Sequence, residues 1–380
     1  MDISSEMIHA LLPLYLVTVL GASTLEVGFI EGIAEATAMI VKIFSGALSD
    51  RLGRRKLLAA LGYGIAALTK PIFPLATGLG WIVAARFVDR IGKGIRGAPR
   101  DALIADITPE AMRGAAFGLR QALDTVGAFI GPLMAIGLMA LSSDSFRLVF
   151  WIAVIPALLS AALILFAVEE PARPAATGKA TGQAARWRLA DLAHFSPRFW
   201  LVVAVAAVLT LARFSDAFLI LRAQNIGLPV TVVPLILVVM NVVYALTAYP
   251  AGALSDRLGR RGLLIAGTVM LIAANAVLAY GDGVPGLMAG VVLWGLHMGL
   301  TQSLFAALVA DSVAERLRGT AFGLFNVASG VALFAASVIA GALWDRFGPA
   351  ATFMAGAVFA ALALPGLIAF TPRENGQTAS

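Results

Sequence analysis

Apolar and polar positions alternate on a long scale in this chain: apolar runs of about 20 residues are separated by short polar breaks. A helix needs about 20 mostly apolar residues to cross the hydrocarbon core of a bilayer, so each run predicts one crossing. The runs are 1–21, Glu26–Ser49, Leu57–Leu75, Trp81–Asp106, a fifth after Arg113-Gly114, and Phe146–Val168. They continue with Phe199–Arg222, Val230–Leu254, Leu263–Tyr280, Leu287–Ala310, Thr320–Gly341 and Ala350–Phe370. The one wide break, rich in Pro, Ala, Gly, Thr and Arg, reads as a cytoplasmic linker. Its Trp187 and Phe195 are expected at the membrane interface, and its His194 carries no role. The pattern predicts an all-α polytopic membrane protein of about 12 helices. A first six-helix bundle covers 1–168, the linker 169–198, a second bundle 199–370 and a polar tail 371–380.

Polar positions inside the runs are the candidates for chemistry, because an ionised group in lipid is costly unless it pairs or meets water. In the first run Asp2, Glu6 and His9 share one helix face, and the apolar part, Ala10–Gly21, is barely long enough to cross. Either residues upstream of Met1 are missing, as the family resemblance described below implies, or the acids are hydrated at a helix N-terminus. Glu31, Glu35 and Lys42 fall within about 40° of one another on the second helix. They predict a stripe facing the protein interior, with a purely structural Glu–Lys pairing as the alternative. Lys70-Pro71 marks a kink in the third run. The fourth run is the most charged, carrying Arg86, Asp89, Arg90, Lys93, Arg96, Arg100 and Asp101. Arg86, Lys93 and Arg100 recur every seventh residue on one face, so the deeper members, Arg86 to Lys93, are expected to line a cavity. Arg120 and Asp124 form an i, i+4 pair on the fifth helix, and Arg213 and Asp216 interrupt the seventh.

One string recurs. Gly46–Leu58 reads GALSDRLGRRKLL, and about 206 residues later Gly252–Leu264 reads GALSDRLGRRGLL. Two matched basic hairpins in a hydrophobic chain imply two similar membrane halves. Gly46, Asp50, Arg51, Gly53, Arg54 and Arg55 have counterparts in Gly252, Asp256, Arg257, Gly259, Arg260 and Arg261. This string resembles the signature loop of the major facilitator superfamily, which implies that fold and a role for these residues in setting the inward/outward equilibrium. The fifth run reads Gly118-x8-Gly127-x3-Gly131-Pro132, similar to the motif of exporting, antiport-type members, although Ala135 and Ile136 replace its final glycines. Gly127 and Gly131 also form a surface for close helix packing.

Laying one half on the other separates scaffold from chemistry. Asp106 falls on Asp311 and Arg113 on Arg318, so these read as structural or gating. By contrast Glu31 falls on Leu237, Glu35 on Asn241, Lys93 on Met298, Arg96 on Thr301, Arg100 on Phe305, Arg120 on Phe325 and Asp124 on Ser329. A fold that accepts neutral residues at these places does not need the charges, which are expected to bind or couple.

Sixty per cent of the 380 residues are hydrophobic and 13% charged, far from the roughly 25% charged of a soluble domain. The net charge of +6 reads as the basic excess of cytoplasmic loops rather than nucleic-acid binding. No cleavable signal peptide is visible. Arg and Lys follow even-numbered runs, predicting cytoplasmic termini, and the resemblance implies a bacterial inner-membrane location. With no cysteine, disulfides and thiolate metal sites are excluded. No nucleophile–base set, Walker loop or HExxH is present, so no enzyme, metal or cofactor is expected. The resemblance implies a monomeric secondary transporter driven by a proton gradient. A small organic anion, such as a carboxylate or iron–citrate chelate, is the expected export substrate. Lys42, Arg86, Lys93, Arg96, Arg100 and Arg120 would bind it opposite Tyr244, Trp294, His297, Gln302 and Asn326. Glu6, His9, Glu31, Glu35, Asp124 and Asp216 are the expected proton-exchanging groups. Efflux of amphipathic cations, or a sensor that has lost transport, are the competing expectations.

Overall fold

The computed structural model of the protein describes residues 1–52, 54–109, 112–169, 195–258, 260–313 and 318–369. Those residues form helices and no strand. The first bundle comprises α1 (Asp2–His9), α2 (Leu12–Thr18), α3 (Thr24–Leu52), α4 (Arg55–Thr69), α5 (Ile72–Leu75), α6 (Leu79–Ile107), α7 (Arg113–Leu141) and α8 (Phe146–Phe166). The second comprises α9 (Pro197–Leu211), α10 (Ala217–Asn225), α11 (Leu235–Leu258), α12 (Arg260–Tyr280), α13 (Gly283–Asp311), α14 (Arg318–Phe347) and α15 (Pro349–Ala369).

Three crossings are each built from two helices, α1/α2, α4/α5 and α9/α10, which leaves twelve crossings in all. Pro13 in the first turn of α2 and Pro71 ahead of α5 lack the N–H that would continue the preceding helix. The third break, from Ala212 to Asp216, has no proline. There the Ser215 N–H leaves the helical ladder and donates to Ser337 Oγ on α14 at 3.3 Å. Seven helical segments are both long and apolar enough to cross a membrane. The other five crossings are the broken α1/α2 and α9/α10, the charged α3 and α6, and α11, whose apolar stretch is only Leu235–Ala248.

The signature string is mostly helix rather than loop. Helix α3 runs through Gly46 to Leu52, and the chain leaves helical geometry by Arg54 (φ −110°, ψ 74°). Arg55 then makes an ion pair with Asp106 at 3.0 Å and donates to the Ala102 carbonyl, tying the start of α4 to the end of α6. In the second half Arg261 donates instead to the Ile368 carbonyl near the end of α15. Gly53, Gly259, the linker from 170 to 194 with Trp187 and His194, and the tail 371–380 lie outside the described residues. So do the side-chain surroundings of Asp50, Arg51, Gly118, Gly252, Asp256, Arg257 and Arg260.

The two bundles repeat one packing plan. Contacts α4·α6, α3·α6, α4·α8, α1·α7 and α1·α8 have the counterparts α12·α13, α11·α13, α12·α15, α9·α14 and α9·α15. Small residues let the backbones meet, which is how helices associate where lipid and side chain are equally apolar. A Cβ at Gly62 would lie 2.7 Å from the Gly92 carbonyl oxygen, so α4 and α6 touch backbone to backbone. Gly94 sits equally close to Val41 on α3.

Between bundles the main contacts are α3·α14, α7·α11, α2·α10 and α3·α10. Along α3 and α14 a ladder of small residues forms the seam: Gly28 against Ser337, Gly32 against Phe334, Ala36 against Gly330, and Gly341 against Thr24. A side chain at Gly28 or Gly341 would collide with the facing backbone. The seam ends in a latch. Asp345, near the end of α14, accepts from the Thr24 N–H at 3.0 Å, the Leu25 N–H at 2.9 Å and the Thr24 hydroxyl. A carboxylate of the second bundle thus caps the N-terminus of a first-bundle helix, where the free N–H groups and the dipole favour it. Asp345 belongs to Gly341–Gly348, GALWDRFG, a third variant of the signature string. Nearby, Thr231 Oγ1 donates to Asp144 Oδ1 at 2.6 Å across the other inter-bundle gap. This end of the molecule is sealed; at the opposite end, which holds the N-terminus, the bundles part around a cavity.

Candidate functional site

Three adjoining compartments lie between the bundles, with volumes of about 430, 240 and 220 Å³. The largest is the mouth, faced by Asp2, Glu6, Glu35, Lys42, Lys93, Arg96, Arg100, Arg120 and Asp124 from the first bundle and Asn241 and Tyr244 from the second. The innermost is bounded by Glu6, His9, Glu35, Arg90, Lys93 and Asp216. The third belongs mainly to the second bundle, with Thr210, Arg213, His297, Gln302, Asn326 and Ser329. Met39 borders the mouth and this third compartment, joining them.

Helical spacing brings these groups together. Glu35, Met39 and Lys42 are one stripe of α3, as Lys93, Arg96 and Arg100 are of α6, and Arg120, Asp124 and Ala128 of α7. Gly127 and Gly131 set the depth of α1: a Cβ at Gly131 would lie 2.6 Å from Glu6 Cβ, and one at Gly127 3.0 Å from Asp2 Cβ. The glycines of the fifth crossing thus hold the two N-terminal acids against the cavity. Pro132 lies within α7, next to that contact.

The cations divide by partner. At the mouth Arg120 pairs with Asp124 (2.6 Å) and Asp101 (3.4 Å), and Arg100 with the same two acids (3.6 and 3.4 Å). Arg96 reaches Asp2 at 3.3 Å and lies 4.9 Å above the ring of Tyr63. Lys42 and Lys93 are exposed to the cavity, and among the described residues neither has a carboxylate within 4.0 Å; the same holds for Arg213. Among the acids, Glu35 pairs with Arg90 at 3.1 Å, whereas Glu6 and Asp216 have no ion-pair partner among the described residues.

Arg86 and Glu31 do not line the cavity. They pair with each other at 2.7 Å inside the first bundle, 2% and 0% exposed, and Arg86 also meets His9 Nδ1 at 2.8 Å. Lys70 is likewise buried, pairing with Asp89 at 2.9 Å and donating to Ser5 Oγ at 3.1 Å. The expectation that the Arg86–Lys93 face lines a cavity throughout therefore fails for its deeper half. Arg86 lies about 10 Å further along α6 than Lys93. At that depth the α3–α14 seam has closed the bundles, and the stripe faces α1, α3 and α4 instead of water. Trp294 is also displaced: fully buried, it packs on Phe214 (5.6 Å between ring centroids) in the second bundle's core. Tyr244 and Gln302 do border the cavity, as does His297, whose Nδ1 lies 2.8 Å from the Gly267 carbonyl oxygen.

Arg213, a single cation in the apolar run Phe199–Ile220, joins the site, although the sequence alone points only to its neighbour Asp216. The helix break between α9 and α10 is what turns Arg213 to the cavity.

A sequence profile described as Major Facilitator Superfamily matches residues 1–222 and again 214–380. An uncharacterised MFS-type transporter of Methanocaldococcus jannaschii is 33% identical over 369 residues, 94% of this chain and 89% of that protein. A multidrug resistance protein, MdtH of Photorhabdus laumondii, is 34% identical over 152 residues, 38% of this chain and 35% of its own length. Among solved structures, the nucleoside transporter NupG superposes with a TM-score of 0.73 at 19% identity, covering 97% of this chain and 95% of its own. A bacterial homologue of the lysosomal transporter Spinster, inward-facing and unoccupied, gives 0.72 at 16%, covering 97% and 91%. At these identities the structures speak to the fold alone, and the fold is the one described above. With a profile match across both halves, twelve crossings in two like bundles and a polar cavity between them, the chain belongs to the major facilitator superfamily of membrane transporters.

Proposed function

We propose that the protein is a proton-coupled exporter of a small organic anion, here open to the cytoplasm. The observation that carries this reading is the pair Lys42 and Lys93, two cations facing the cavity with no carboxylate within 4.0 Å among the described residues. Burying such charges is unfavourable until an anion arrives, so closure of the mouth is coupled to loading. Arg213 supports the same reading from the opposite wall. The open end carries the basic residues Arg51, Arg54, Arg55 and Lys56, which supports a cytoplasmic assignment for it and for the N-terminus. Alternating access then exchanges the α3–α14 seam at the sealed end for closure at the mouth.

Glu6 and Asp216 are the favoured proton carriers. Both border the innermost compartment beside His9, and neither must give up an ion pair to take a proton. Glu35 and Asp124 are held by arginines and act, in this reading, through those arginines. Glu31 is coupled to the cavity through Arg86 and His9.

Export of amphipathic cations is the second reading, favoured by the acids at the mouth and by the partial similarity to MdtH. Inverted membrane vesicles with a pH gradient separate the two. Accumulation of labelled citrate or another carboxylate, lost in Lys42→Gln and Lys93→Gln, is expected. Accumulation of ethidium with no carboxylate uptake would overturn the anion reading.

A further inference from the structure

The compartment of about 240 Å³ in the second bundle has a chemistry of its own. His297 on α13 borders it and is 1% exposed. A carbonyl oxygen only accepts hydrogen bonds, so the 2.8 Å contact with Gly267 places the proton of a neutral imidazole on Nδ1. The other nitrogen, Nε2, is left as a lone-pair acceptor. It is buried and has no hydrogen-bond partner among the described residues. Arg213 borders the same compartment with no carboxylate within 4.0 Å among the described residues. The site thus offers one buried acceptor, one unpaired guanidinium, and the amides and hydroxyls of Gln302, Asn326 and Ser329. An acceptor next to donors suits a group that both donates and accepts, which is what an alcohol does.

We infer that this compartment is a subsite for a hydroxyl group, and that the transported molecule is a hydroxylated organic anion. Its hydroxyl donates to His297 Nε2 and accepts from Arg213 or a neighbouring amide, while its anionic end lies at Lys42 and Lys93. Met39 borders both compartments, so one small molecule can span them. This assignment rests on the anion reading above and adds a requirement that charge alone does not impose. A site built to pair a hydroxyl rejects the analogue lacking it, since the buried acceptor then has no partner.

The test uses the full-length protein in proteoliposomes and pairs of anions of equal charge: citrate with propane-1,2,3-tricarboxylate, malate with succinate, gluconate with hexanoate. The inference expects the hydroxylated member of at least one pair to be bound or transported at least tenfold better. In His297→Phe that preference falls to within about twofold, and an unfolding temperature in detergent close to that of wild type shows that the variant folds. His297→Gln, whose amide oxygen can replace Nε2, keeps most of the preference. Equal handling of every pair by wild type, or an unchanged preference in His297→Phe, overturns the subsite. The anion reading then survives if both members still depend on Lys42 and Lys93. If no anion in the panel is bound, the anion reading falls and the subsite with it.

Discussion

The two bundles share a backbone plan and differ in what they bury. Inside the first, Glu31, Lys70, Arg86, Asp89 and Arg90 form a paired network. The positions that match them in the second are Leu237, Asn275, Val291, Trp294 and Gly295. Leu237, Val291 and Trp294 are buried in that half's apolar core. Asn275, also buried, satisfies its side-chain N–H on its own helix through the Leu271 carbonyl at 3.0 Å. Gly295 lets α13 approach α11, where an added Cβ would lie 2.8 Å from the Met240 carbonyl oxygen. One packing solution needs no charge; the other removes five ionisable groups from water and must pair them. Desolvating an ion pair costs about as much as its attraction returns, so stability does not account for the network. Its place behind Glu35 and His9 gives it a use, as the support that holds cavity groups in a fixed orientation.

The strongest way to break this comparison is to remove one member of a pair. Glu31→Gln or Arg86→Met leaves an uncompensated buried charge and is expected to lower stability by about 3–5 kcal/mol, read as a fall in the unfolding temperature in detergent. The double change Glu31→Leu with Arg86→Val copies the second bundle and should recover stability to within about 1 kcal/mol or exceed wild type. A double variant as unstable as the singles would show that the first bundle requires the pair in order to fold.

Next in size are the unpaired cations of the cavity. A charge-assisted hydrogen bond contributes about 1.5–3 kcal/mol, so Lys93→Gln should weaken anion binding by about 10- to 100-fold with little change in unfolding temperature. Lys93→Met, the residue of the second half, should do the same. A loss of stability with unchanged affinity would make Lys93 structural and blur the distinction between the halves.

A smaller effect is expected where the second bundle reaches into the first. Asp345→Ala removes the cap on α3, worth about 0.5–2 kcal/mol. The population open at the sealed end should rise accordingly, measured by distance distributions between spin labels on the ends of α3 and α14. No shift would mean that the glycine seam alone holds the gap. The smallest effect belongs to the mouth. Arg120→Gln breaks a partly exposed pair with Asp124, worth about 0.2–1 kcal/mol, and should shift unfolding by about a degree or two at most.

Much of this was readable in the chain. The crossings followed from run length, and the halves from the repeat at Gly46 and Gly252. Most proposed cavity residues, from Glu6 and Lys42 to Gln302, do border the cavity. Where the reading failed, it failed for one reason: helical periodicity gives the face of a helix but not what lies opposite that face. Arg86 and Lys93 share a stripe of α6, yet one meets Glu31 and the other meets water. Trp294 looked like a wall residue and is core. Arg213 looked incidental until the break after Leu211 turned it inward, and that break is made by a contact with Ser337 rather than by a local signal.

By itself the sequence determined the helices, the number of crossings, the twofold plan and the uneven distribution of charge, since each depends on residues within one run or on a direct repeat. Tertiary structure alone decided which charges are neutralised and which stay available. That outcome depends on where the bundles touch, through contacts such as Thr24 with Asp345, 321 residues apart. It depends also on the depth at which the seam gives way to water, a distance along the helix axis that no periodicity encodes.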